Sequence, residues 1–72
     1  MNLLIFKTDI HTKRKVSLLK QHFKRVPSII DWNVDTEDID KVLRIEANET
    51  LKEQDVIALM KTQGFYCEPL ND

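Results

Sequence analysis

Two stretches in the middle of the chain, Ile30-Asp31-Trp32-Asn33-Val34-Asp35 and Val42-Leu43-Arg44-Ile45-Glu46-Ala47, alternate apolar with polar side chains. A period of two is that of a strand with one dry and one wet face. Ile30, Trp32 and Val34 form the first dry set; Leu43, Ile45 and Ala47 form the second, opposed by Val42, Arg44 and Glu46. The segment between them, Thr36 to Lys41, reads as a hairpin loop, but it lacks the Asn-Gly type of tight-turn pair, so pairing is predicted and register is not. This double strand decides the fold because a different period flanks it on both sides. Upstream, Val16, Leu19, Phe23 and Val26 recur at intervals of three, four and three, one helical stripe with Leu18 at its margin. Downstream, Val56, Ile57, Leu59, Met60 and Gln63 repeat the helical spacing.

The ends of these elements can be read from local chemistry. Thr12 is a suitable N-cap for the first helix, and Pro27 disfavours helical geometry at Val26, which predicts about four turns. Thr50-Leu51-Lys52-Glu53 has the pattern of a capping box at the start of the second helix, and Gly64, the only glycine, sits where a left-handed residue would end it. Leu3 to Phe6 is a short apolar run that stops at Lys7-Thr8-Asp9, a central strand. Phe65 to Glu68 reads as a last short strand closed by Pro69, which suits a sheet edge.

The order is therefore β-α-β-β-α-β, an α+β domain of ferredoxin-like type, with two helices on one face of a four-stranded antiparallel sheet. Residues 1–72 make one such domain, because 72 residues with 42 % apolar and 32 % charged content support a single core. In that topology the end of the first strand, the start of the first helix and the start of the last strand share one edge, so a site at Thr8 to Lys15 would face Gly64 to Cys67.

A net charge of −1 points neither to a nucleic-acid binder nor to an acidic tail. Cys67 is the only cysteine and has no intrachain partner, and Leu3 to Phe6 is too short for a signal-peptide core or a membrane span, so a cytoplasmic, membrane-free protein is expected. With one glycine there is no glycine-rich phosphate loop, and no Ser-His-Asp or Cys-His constellation is evident. Neither catalysis nor a cofactor is expected.

Pro27-Ser28-Ile29 after the first helix and Gly64-Phe65 after the second resemble the Pro-Gly-Val-like turn and the Gly-Tyr of the heavy-metal-associated domain, the copper-chaperone-like module also found in metal-transporting ATPases. The resemblance covers nearly the whole chain and implies the same ferredoxin-like fold. Counted back from Ile29 without a gap, Asp9-Ile10-His11-Thr12-Lys13-Arg14-Lys15 stands where that family has its Gly-Met-x-Cys-x-x-Cys metal loop, with Ile10 in place of the Met under the site. The two cysteine positions hold Thr12 and Lys15. Soft Cu(I), or Zn(II), needs thiolates that bind strongly and offset its charge, and three successive cations at the positive end of a helix dipole would repel it. The resemblance thus implies the scaffold without the family's metal chemistry.

His11, Cys67 and Asp9 are the remaining candidate metal ligands, and a carrier with such unorthodox ligands is one alternative function. His22 lies beside the apolar stripe and reads as a boundary residue. Asp35, Glu37, Asp38 and Asp40 form an acidic loop with Glu46 at the twelfth place from Asp35, but Ile39 and Asp40 occupy the fifth and sixth places, where a calcium loop needs a ligand and a glycine. The RNA-recognition motif shares the topology, yet the third strand, Lys41 to Glu46, has no aromatic residue on which to stack a base, so nucleic acid is not the expected partner.

Charge is segregated along the chain. Residues 1–30 hold seven Lys or Arg against Asp9 alone, whereas residues 31–72 hold four against eleven acids. The basic excess falls on the first helix and predicts a non-catalytic interaction module that docks an acidic protein surface through His11, Thr12, Lys13, Arg14, Lys15, Lys20 and Lys24. A regulatory domain that holds a small ligand between the protomers of a homodimer is the other alternative.

Overall fold

Six elements follow the predicted order in a computed structural model of the chain, which describes residues 2–70: β1 (Asn2–Thr8), α1 (Lys13–Phe23), β2 (Ile29–Val34), β3 (Leu43–Ala47), α2 (Glu53–Thr62) and β4 (Cys67–Pro69). The strands pair antiparallel in the order β2-β3-β1-β4. This is the α+β, ferredoxin-like arrangement, and its register follows from the alternation of side chains. Leu4 opposes Ile45 and Phe6 opposes Leu43 across β1 and β3, which places the apolar members of both central strands on one face. Both helices cover that face: Leu19 and Phe23 of α1 and Val56 and Met60 of α2 join Phe6, Ile10, Leu43, Ile45 and Ala47 in a single buried cluster. Burying each of the larger side chains contributes roughly 1.5–3 kcal/mol. The opposite face of the central strands carries Leu3, Ile5, Lys7, Arg44 and Glu46 and is left uncovered by the helices.

Four local readings are corrected by the structure. The first strand of the hairpin starts at Ile29, and a β-bulge between Ile29 and Asp31 turns Ile30 outward, 53 % exposed. The dry set is therefore Ile29, Trp32 and Val34, which all pack on the core. An extra residue in one strand shifts every side chain before it to the other face.

Helix α1 stops at Phe23 rather than near Val26, because the N–H groups of Arg25 and Val26 donate to the carbonyls of His22 and Phe23, a tighter winding ahead of Pro27. Thr50 does not cap α2. Its N–H and hydroxyl both donate to the Asn48 side-chain oxygen, so the capping position passes to Lys52, whose N–H donates to the Asp55 carboxylate at 2.9 Å. Strand β4 begins at Cys67 and includes Pro69, which sits opposite Phe6 on the sheet edge.

The other predicted signals are in place. Thr12 Oγ1 accepts the N–H of Lys15 at 3.1 Å as the N-cap of α1. Gly64 has φ +82, with its N–H on the Lys61 carbonyl and that of Phe65 on the Met60 carbonyl, the double bond of a Schellman ending. On the outer strand β2, Trp32 meets Phe23 edge-to-face with ring centroids 5.1 Å apart, and the N–H of Trp32 donates to its neighbour's carboxylate, Asp31 Oδ1, at 2.9 Å.

Candidate functional site

Thr8 fixes the floor of the loop that leads into α1. It is 95 % shielded from solvent; its hydroxyl donates to the Lys41 carbonyl at 2.6 Å and accepts the N–H of Ile10 at 3.2 Å. Its own N–H donates to the Asp40 carbonyl at 3.1 Å, so β1, the hairpin loop and the helix-entry loop meet at one residue. Ile10, two residues on, is fully buried.

Above that floor, the expected proximity of the helix-entry loop to the start of β4 is observed. Thr8 pairs with Cys67, and the N–H of Tyr66 donates to Asp9 Oδ1 at 3.2 Å. The other carboxylate oxygen of Asp9 lies 3.6 Å from the Lys15 ammonium, and its carbonyl accepts from His11 Nδ1 at 2.8 Å and from Lys15 Nζ at 3.4 Å. Asp9 is thus a local organiser with both side-chain oxygens engaged.

Asp9 and Cys67 are close enough to interact electrostatically, but not as a ready metal site. Burial, and then the negative charges of Asp9 and Glu68, push the Cys67 thiol from 9.0 up to about 12, so it stays protonated at neutral pH. Among the described residues no group of three or more His, Cys, Asp or Glu is arranged to hold a metal ion. The acidic hairpin loop uses its carboxylates on its own backbone: Asp35 accepts the N–H groups of Glu37 and Asp38, and Asp38 accepts that of Asp40. Tyr66, outside this loop, has its phenol raised above 10.0 by the hydrogen bond to Glu68.

The basic residues separate into distinct settings. His11, Lys13 and Lys20 line a groove of about 670 Å³ with Val16, Ser17, Val34 and Thr36. Lys15 faces Asp9, and Lys24, together with Lys20, borders a smaller hollow that also contains Asp31. Arg14 is exposed and lines neither, while the Thr12 hydroxyl is occupied as the cap. The described ion pairs are Lys15–Asp9 and Lys7–Asp40, both at the surface and worth roughly 0–1 kcal/mol each. Neither Lys13 nor Lys20 has a carboxylate within 4.0 Å among the described residues, and no acidic side chain lines their groove.

Val16, Ser17, Val34 and Thr36 join this surface beyond the residues that charge alone points to. Lys13, Val16, Ser17 and Lys20 follow the i, i+3, i+4, i+7 spacing of one helix face, so Ser17 was readable. Val34 and Thr36 reach the groove only through the placement of β2 beside α1.

A scan against family models finds no match, and no curated protein matches the chain. No described helix is long and apolar enough to cross a membrane.

Proposed function

We propose that this chain is a non-catalytic binding module, a heavy-metal-associated type of scaffold without its thiolate pair, which docks an acidic protein surface in the cytoplasm through the basic face of α1. The observation that carries this reading is the pair Lys13 and Lys20, both exposed and lining one groove, neither with a carboxylate within 4.0 Å among the described residues. Unpaired surface cations keep their field available to a partner, raising the encounter rate and favouring an acidic patch over a basic one. Lys15, engaged with Asp9, shapes the loop rather than the docking face.

Metal carriage is disfavoured by the same geometry. A protonated Cys67 and an Asp9 already holding Tyr66 and Lys15 would both have to be rearranged before an ion could bind. Base stacking has no platform on the open face of β1 and β3, and Trp32 is turned to the helix side against Phe23. Self-association is the second reading, supported by Leu3 and Tyr66, 60 % and 48 % exposed.

The test is affinity capture at rising salt for the parent, a Lys13→Glu/Lys20→Glu variant and a Lys61→Glu control. Partners retained by the parent and the control, but released from the double variant at low salt, support the reading. Identical profiles for all three remove it. Sedimentation of the parent decides the second reading.

A further inference from the structure

We infer that the groove between α1 and the end of β2 takes an extended acidic peptide segment, with two carboxylates three residues apart and an aliphatic side chain between them; this rests on the docking role proposed above. Lys13 and Lys20 are seven residues apart on one helix face, which separates them by about 10 Å along the helix axis. With both lysine stems straight, the two ammonium groups meet two separate carboxylates at that spacing, whereas a single anion would be reached by both only with the stems bent toward each other. The spacing matches side chains three residues apart in an extended segment of polyproline II form, where three residues complete one turn and place both side chains on the same side about 9 Å apart.

Val16 and Val34 lie in the groove with the two ammonium groups and give an intervening aliphatic side chain somewhere dry to rest. Ser17 and Thr36 add hydroxyls that can donate to or accept from a peptide backbone. At the groove's end, His11 donates Nδ1–H to the Asp9 carbonyl, which leaves Nε2 for the ligand. Asp35 and Glu37 flank Thr36 in the chain. The Asp35 carboxylate is held by the loop backbone, accepting the N–H groups of Glu37 and Asp38.

The probe is a short peptide containing Glu-Leu-Ala-Glu between neutral flanks, titrated into the isotopically labelled full chain and followed by amide chemical shifts. Its isomer with the two Glu adjacent, and tripolyphosphate, serve as comparison ligands. Shifts are expected at Val16, Ser17, Lys20, Val34 and Thr36, with affinity falling about tenfold in Lys13→Glu and in Lys20→Glu, and by less than about twofold in Lys61→Glu. Ser17→Glu blocks the groove without removing a cation and should weaken the probe similarly; all four positions are exposed, so the variants keep the fold.

Equal loss in Lys61→Glu, equal binding of the isomer, or preference for tripolyphosphate would overturn the groove assignment. So would no binding of the probe. If capture still depends on Lys13 and Lys20 in that case, the docking role stands and only this occupant fails; if capture is also unaffected, both fall.

Discussion

The Thr8 hydroxyl and the Lys41 carbonyl are joined by a 2.6 Å hydrogen bond across 33 residues of chain, at the point where β1 hands over to the helix-entry loop. Thr8→Val keeps the shape but leaves the Lys41 carbonyl and the Ile10 N–H without this partner. A loss of about 1–3 kcal/mol is expected in urea unfolding, with an unchanged denaturant slope. Thr8→Ser, which retains the hydroxyl, should cost about 1 kcal/mol or less.

Lys41 itself has φ +46, a left-handed conformation that a β-branched side chain tolerates poorly. Lys41→Val is expected to destabilise by about 1–2 kcal/mol, whereas Lys41→Gly should lie within about 1 kcal/mol of the parent. The glycine relieves the backbone but removes the ammonium that donates to the Thr36 carbonyl at 2.8 Å. Thermal midpoints of the two variants, taken side by side, check the order.

Cys67 predicts an alkaline dependence. Its thiol titrates at about 12 in the folded chain against 9.0 ordinarily, so between those values the native state holds a proton that the unfolded state has released. The stability this contributes is complete below pH 9 and is lost as pH rises toward 12. Cys67→Ala should flatten the stability profile in that window. Asp9→Asn removes one of the charges that raise the thiol, so alkylation of Cys67 should begin at lower pH in that variant than in the parent.

Gly64 at φ +82 has open space where a β-carbon would stand. Gly64→Ala therefore meets no clash and costs only the left-handed backbone, about 1 kcal/mol. Chemical unfolding of this variant measures that term alone; a loss several times larger would mean that the Schellman ending had been broken.

Where a single local interaction decides, sequence patterning was a reliable guide. Thr12 caps α1, Gly64 ends α2 and the alternation of β3 is preserved because no competing partner is nearby. Thr50 failed as a cap because Asn48, two residues earlier, offers its hydroxyl a closer acceptor. Ile30 was misplaced because a bulge leaves no compositional trace: Ile29 and Ile30 are the same residue type, and only pairing with β3 distinguishes them. At the site, the meeting of the helix-entry loop with the start of β4 was legible from the topology, as Thr8 opposite Cys67 shows. The separation of Lys15 from Lys13 and Lys20 was not, since it depends on where Asp9 is held by the N–H of Tyr66, 57 residues away.

The margin of the sheet formed by β2 has a use beyond its own packing. With its backbone kinked at Ile30 and one outward N–H already taken by Asp31, it offers an incoming strand a broken row of donors and a carboxylate in the way. Copies of the chain can therefore be crowded together, or strung in tandem, without zipping into continuous ribbons.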